Sequence, residues 1–407
     1  MRKTVLAAIL VLTSLAGGLA QEPIKIGGLF PLTGGLAPYG PAIAQGAQLA
    51  VDQINALGGV LGRPLELVVR DTATSPDVGR DAAAKLIQID GVVAIIGALS
   101  SGVTMAVASV TAPAHIPQIS PSSTSPAITE LADEDYVFRT CVSDALQGIV
   151  LAQLARNLGY KKVAIIYVNN AYGKGLADVF ARHFAGDGHE VVASVPYEEG
   201  KPSYRGEVEQ LLRAQPDAIN LIGYPVDGNK MIIEALEMGY EGEFLFPDGM
   251  KGEGVTPGPA CPAEADCTEQ FLNGAFGTAP GALEVAARAD FEADYEAAFG
   301  PSGIPFRAEA YDAVVLIALA IQAAGEASGP AIQAKLREVA NPPGQEFTYG
   351  QLAEALAAVA AGQDINWQGV SGPVTWDEHG DVITGAIEIW TVSHCHVRPV
   401  WIVEVGE

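Results

Sequence analysis

The sequence, 407 residues long, predicts an α/β protein with two doubly wound parallel-sheet lobes. Three observations predict it. Short apolar runs alternate with stretches of helical spacing, which is the βα rhythm of a parallel sheet covered on both faces. The rhythm pauses at 136–143, YVFRTCVS, and then restarts in the same design. The length also exceeds what a single hydrophobic core ordinarily organises.

In the first half, IKIGGLF over 24–30 reads as a strand, and 40–57 as an amphipathic helix stopped by Gly58-Gly59. A strand over 65–70, a helix over 77–90, a strand over 92–96, a helix over 103–112 and a strand over 117–120 continue the series. The second half repeats it with helix 144–158, strand 162–167, helix 172–185 and strand 190–195. Helix 204–214, strand 218–222, helix 229–238 and strand 244–246 follow. A loop over 249–269 leads to a short apolar segment at 274–278 and helices over 287–299, 309–324, 330–339 and 351–361. A hairpin-like tail over 372–405 closes the chain, with a turn at Trp376, Asp377, Gly380 and Asp381.

Residues 1–20 read as a secretory signal: Arg2 and Lys3 lead, an apolar stretch follows, and Gly18-Leu19-Ala20 offers small residues for cleavage before Gln21. No cysteine follows Leu15-Ala16-Gly17 to take a lipid, so a soluble periplasmic protein is expected. The formal net charge is −25, or −27 without Arg2 and Lys3, which opposes nucleic acid as a partner. The four cysteines, Cys141, Cys261, Cys267 and Cys395, suggest two disulfides after export, with three pairings available. Proximity favours Cys261–Cys267 and leaves Cys141–Cys395.

No GxSxG, HExxH or P-loop spacing occurs, so no catalysis and no cofactor are expected. His394-Cys395-His396 sets two imidazoles on one face of a strand without a third ligand in helpful spacing. It reads as an ordinary strand end rather than a metal site.

The binding signals sit at the carboxyl ends of strands, where open α/β sheets take ligands. VVAIIGALSSGVT over 92–104 runs from an apolar strand into Ser100, Ser101 and Thr104 at the start of a helix. The free N–H groups and dipole there favour an anion such as a carboxylate. IPQISPSST over 116–124 repeats the pattern, so Ser101, Ser122 and Thr124 are candidate carboxylate donors. Asp248, after Phe244-Leu245-Phe246-Pro247, is a candidate ammonium acceptor. Tyr224 follows the neighbouring strand and Tyr172 opens a helix, and both offer rings and hydroxyls to a cation.

These segments together resemble the type I periplasmic binding proteins of the leucine/isoleucine/valine-binding family, which serve ABC importers. The resemblance rests on IKIGGLFPLTGGLAPYGPAIAQGAQLAVDQINALGGVLGRPLELVVRD, IIGALSSGVT, PQISPSST with Pro126 and FRT, AIIYVNNAYGKGLA, IGYPVDGNKMI with FPDGM, and GPVTWDEHGD. It implies two lobes joined by a three-stranded hinge, with crossings at 140–143, near 274 and near 372. The first lobe would hold 21–142 and 275–371, and the second 143–274 and 372–407. By motif, the α-carboxylate would meet Ser101, Ser122 and Thr124, the α-ammonium Asp248, and the remaining wall Tyr172 and Tyr224. Tyr39 falls where the family places an aromatic facing the ligand's side chain. The implied function is capture of an amino acid, branched and aliphatic, by a monomer that closes on it and delivers it to a membrane permease. An amide, urea or aromatic acid ligand, or a sensor role at a membrane receptor, is the alternative. Departures are Asp248 in place of a glutamate, Gly102-Val103 in place of hydroxyls, and no cysteine pair in the first lobe, where Ser100 stands near one position.

Overall fold

The computed structural model describes residues 21–252, 272–281, 287–394 and 396–406. The expected leader, and the cysteines Cys261, Cys267 and Cys395, lie outside the described residues.

The first sheet comprises β1 (Ile24–Phe30), β2 (Leu65–Asp71), β3 (Ile95–Gly97), β4 (Gln118–Ser120) and β5 (Val137–Arg139) in the order β2-β1-β3-β4-β5, all parallel. Its helices are α1 (Gly40–Ala56), α2 (Pro76–Lys85) and α3 (Ser101–Thr111). After α4 (Asp144–Asn157), the second unit supplies β6 (Lys162–Val168), α5 (Ala171–Phe184), β7 (Glu190–Tyr197), α6 (Arg205–Leu212), β8 (Ala218–Ile222), α7 (Pro225–Glu237), β9 (Glu243–Phe246) and β10 (Phe276–Gly281). Next come α8 (Ala287–Phe299), α9 (Arg307–Ala324), α10 (Gly329–Ala340), β11 (Gln345–Thr348), α11 (Leu352–Ala360), β12 (Ile365–Gly369) and β13 (Gly372–Pro373). β14 (Thr384–Ser393) and β15 (His396–Gly406) end the described chain. The second sheet runs β15-β14-β10-β9-β8-β6-β7, parallel from β7 to β10 and antiparallel through β14 and β15. A small third sheet joins β11, β12 and β13.

The central strands are apolar on both faces because helices cover both, and β8 is buried at every position. α9 is buried along most of its length and packs directly on α1. The two cross so closely that a Cβ on Gly46 would sit 2.2 Å from the Arg307 carbonyl oxygen, so only glycine fits there.

Within 136–143, β5 completes the first sheet beside β4, and the chain crosses after Arg139. Two expectations change. β10, assigned by the boundary at 275 to the first lobe, hydrogen-bonds between β9 and β14, so the second crossing comes after Gly281. Cys141 is a buried free thiol, which corrects the Cys141–Cys395 pairing. Its neighbour Val142 packs on Gly385, near the start of β14, whereas Ser393 lies at the other end, roughly 26 Å along the strand. A disulfide needs Cα atoms within about 7 Å.

Candidate functional site

Numbered within each unit, the five parallel strands of each sheet run in the order 2-1-3-4-5. The strand order reverses between β1 and β3 in one and between β6 and β8 in the other, and ligands bind in the crevice such reversals leave at the strands' carboxyl ends. The loops leaving these strands carry the candidate residues.

On the first wall, Ser100 is the N-cap of α3 and Ser101 its first residue, and no side chain caps the helix. Its first N–H groups are therefore available to an anion. Ser122 Oγ donates to the Leu99 carbonyl at 3.2 Å, and Ser123 Oγ lies 2.7 Å from Thr104 Oγ1. Ser120 Oγ donates to the Ala98 carbonyl at 2.7 Å. These hydroxyls occupy the carbonyls left unpaired where β3 ends, which fixes the loop that presents Ser101.

On the second wall, the Tyr172 and Tyr224 rings stack with centroids 5.8 Å apart and planes 9° from parallel. Asp248 begins a short 3₁₀ turn after β9, and its Oδ1 accepts from Gln147 Nε2 at 2.9 Å and from the Tyr172 hydroxyl at 3.0 Å. Burial pushes the Asp248 carboxyl up to about 6, against these bonds. Burial likewise pushes the Tyr172 hydroxyl well up, so it stays a neutral donor.

The sequence reading missed a second carboxylate. Asp144, the first residue of α4, is fully buried; its Oδ2 accepts from the Thr124 hydroxyl at 2.8 Å and its backbone N–H donates to the Thr124 carbonyl at 2.8 Å. Its Oδ1 has no hydrogen-bond partner. Burial first, and then the nearby charge of Asp248, hold the Asp144 carboxyl well above the usual range. One helical turn on, Gln147 leaves its own Oε1 unpartnered. Asp144, Gln147 and Asp248 thus form an electronegative corner short of donors.

Tyr39, Ser101, Ser122, Tyr172, Tyr224 and Asp248 line one cavity of about 370 Å³, with Leu36, Ile43, Leu99 and Phe306 as its apolar side. The room in it that a water molecule can occupy is about 30 Å³, so the walls must part further to admit a ligand. Thr124 is not on the lining; its hydroxyl is turned to Asp144, so it acts one step back from the cavity. The walls already touch. Tyr39 Oη lies 3.0 Å from the carbonyls of Gly249 and Lys251, Ser100 Oγ is 3.4 Å from Tyr224 Oη, and Ser125 Oγ donates to the Ala171 carbonyl at 2.8 Å.

Gly249 is held by close approach: a Cβ there would lie 2.4 Å from the Gly223 carbonyl oxygen and 2.8 Å from Tyr172 Oη. Gly249→Ala is expected to displace Tyr172 from Asp248 and weaken ligand binding roughly tenfold, about 1.4 kcal/mol by calorimetric titration.

The raised Asp248 carboxyl sets two pH trends of opposite sign. A cationic ligand needs the ionised form, so its affinity should fall about tenfold per unit as pH drops below about 6. The ligand-free fold gains from the protonated form; that contribution is fully present below the ordinary value of 3.8 and is lost as pH rises through about 6. Calorimetry and urea unfolding of wild type and Asp248→Asn, compared across that window, check both.

A family model described as periplasmic binding protein matches residues 23–379. The chain is 31% identical to the chemotactic signal transduction system substrate-binding protein BasB of Halobacterium salinarum, over 90% of this chain and 86% of that protein. It is 30% identical to the Leu/Ile/Val-binding protein BraC3 of Rhizobium johnstonii, over 86% and 93%. Among solved structures, the branched-chain amino acid transporter substrate binding protein LivJ of Streptococcus pneumoniae, in complex with isoleucine, aligns with a TM-score of 0.77 at 26% identity, covering 94% of this chain and 100% of that one.

Proposed function

Because the chain belongs to the type I periplasmic binding proteins of the leucine/isoleucine/valine-binding family, we propose that it captures a branched aliphatic amino acid for an ABC importer. The observation that carries this reading is one small cavity with an uncapped helix start and serines on one wall, the buried Asp248 carboxyl with two tyrosines on the other, and an apolar side. In this reading Ser101, Ser122 and the α3 N–H groups take the α-carboxylate. Asp248 takes the α-ammonium, with Tyr172 and Tyr224 shielding it. Leu36, Ile43, Leu99, Phe306 and the Tyr39 ring receive the side chain, and Thr124 orients Asp144.

The ammonium supplies what the electronegative corner lacks, three donors and a positive charge, and so favours the closed arrangement over the open one. The chain's passages between the sheets would serve as the hinge, hinge closure around a ligand being an established motion of such proteins. The reading includes export through the leader at 1–20 and a membrane permease that receives the closed form. Calorimetric titration with leucine, isoleucine, valine, an aliphatic amide and benzoate tests it. Binding of the amide or benzoate but of no amino acid would reject the ligand class.

A second reading, a ligand sensor at a membrane receptor, is favoured by the similarity to the chemotactic protein BasB. Uptake and behavioural responses of a deletion strain separate the two: a sensor leaves uptake intact and abolishes the response.

A further inference from the structure

The ammonium, as placed above, answers Asp248 and leaves two oxygens behind it unanswered. Asp144 and Gln147 are fully buried and lie off the cavity lining. Asp144 Oδ1 and Gln147 Oε1 have no hydrogen-bond partner among the described residues. The two residues stand three apart on α4, which sets both side chains on one face of the helix.

Their other polar side-chain atoms are engaged. Asp144 Oδ2 accepts from the Thr124 hydroxyl at 2.8 Å. Gln147 Nε2 donates to Asp248 Oδ1 at 2.9 Å and reaches the Thr278 carbonyl and hydroxyl at 3.3 and 3.4 Å. A carboxylate and a carbonyl only accept, so the amide nitrogen must face them and Oε1 must face away. Two buried acceptors without a donor are costly, and an ionised Asp144 would add a second negative charge behind Asp248. The cation whose field reaches Asp144 is Arg139 on β5, and its donors go to Asp381, Thr129 and the carbonyls of Ser123 and Ser125. The Cys141 thiol on the crossing and the Tyr172 hydroxyl on α5 also feel the charge of Asp144, and burial keeps both neutral.

We propose that Asp144 is a neutral acid and a positioning residue, its Oδ1–H donating to Gln147 Oε1 to complete a buried chain Thr124–Asp144–Gln147–Asp248. One proton supplies the donor that both oxygens lack and leaves Asp248 as the corner's single charge. Every bond in the chain donates toward Asp248, so each polarises the next. The chain ties the turn after β4, which presents Ser122, to the carboxylate that takes the ammonium, and so fixes the spacing of the two ends of the site. One charge suits a ligand with one cationic group, which deepens the amino-acid reading and rests on it. Burial first, and then the charge of Asp248, favour the neutral form of Asp144.

Leucine titrations at pH 7 and infrared spectra test the chain. Asp144→Leu, which neither donates nor accepts, should weaken leucine binding about tenfold, and Gln147→Leu should do the same. Asp144→Asn copies the neutral acid, an amide N–H standing where the O–H stood, and should recover most of that loss. If Asp144→Asn binds as weakly as Asp144→Leu, Asp144 acts through its charge and the proposal is overturned. Undiminished affinity in Gln147→Leu overturns it as well, and this arm stands even where Asp144→Leu fails to fold. Asp144, Gln147 and Asp248 all belong to the second unit, so the spectra need no ligand. The carbonyl band of a buried neutral carboxyl should be lost from the wild-type spectrum in Asp144→Asn and kept in Asp248→Asn, where burial, the larger cause, remains. A band that Asp144→Asn leaves intact, or that Asp248→Asn removes, puts the proton elsewhere and overturns the proposal. If wild type binds no leucine, the amino-acid reading fails and the spectra alone decide.

Discussion

Asp248→Ala should weaken amino-acid binding by about 150-fold, or about 3 kcal/mol, in calorimetric titration at pH 7.5. The carboxylate is buried on the cavity lining, and its removal leaves the ligand's ammonium without its counter-charge. The effect on the ligand-free protein should run the other way. A carboxyl raised to about 6 is held ionised at pH 7.5 at a cost to the fold, so Asp248→Asn, which keeps the shape of the side chain, should raise the melting temperature there. Lower affinity with higher stability marks a binding group. A merely structural residue would lower both. Undiminished affinity for the ligand in Asp248→Ala would exclude an ammonium at this corner and point to an amide or an aromatic acid.

The reach of the sequence differs between the Asp248 and Asp144 carboxyls, and the reason is physical. Asp248 ends an apolar run, so strand periodicity alone puts it at a sheet's carboxyl edge. Asp144 follows Ser143, whose hydroxyl caps α4 by accepting from the Ala145 N–H at 3.2 Å. An acid in the first turn of a capped helix is what the helix dipole favours anywhere on a surface, so its sequence context signals nothing beyond that. Only the contact with Thr124, twenty residues earlier, turns it inward. Thr124 was misplaced for the same reason: strand ends are legible, but the direction of one hydroxyl depends on a distant partner.

At the level of the fold, the βα rhythm carried both sheets because central parallel strands such as β8 are continuous apolar runs. β5 has no strand assignment from the sequence because a three-residue strand has no period to count. β11 and β12 escaped because a four-residue and a five-residue strand flank a helix and carry polar residues such as Gln345 and Asn366. β10 was assigned to the wrong lobe because its sheet is chosen by pairing with β9 and β14, which no local pattern encodes.

The largest loss of stability is expected from Arg139→Met, at about 3–5 kcal/mol in urea unfolding. Arg139 is fully buried, and its Nε and Nη2 donate to the two carboxylate oxygens of Asp381, each at 2.6 Å. Nη1 donates to the carbonyls of Ser123 and Ser125 at 3.3 and 3.0 Å, and Nη2 also reaches Thr129 Oγ1 at 3.0 Å. One guanidinium thus ties the serine turn to the Asp377–Asp381 turn, and the Trp376 indole closes the link by donating to the Arg139 carbonyl at 2.7 Å. Removing the cation leaves Asp381 largely buried without its counter-ion and takes a donor from the Ser123 and Ser125 carbonyls, of which the latter keeps only the Ile128 N–H, which is why the loss exceeds that of an exposed pair. Lysine should not rescue it, since an ammonium cannot span both carboxylate oxygens and the turn. Arg139→Met/Asp381→Leu should recover most of the loss because the orphaned charge is gone. The double variant should still bind ligand weakly, because the Ser122–Ser125 turn lacks its anchor. Recovery of stability without recovery of affinity would assign Arg139 to positioning the serines. Recovery of both would confine it to holding the fold.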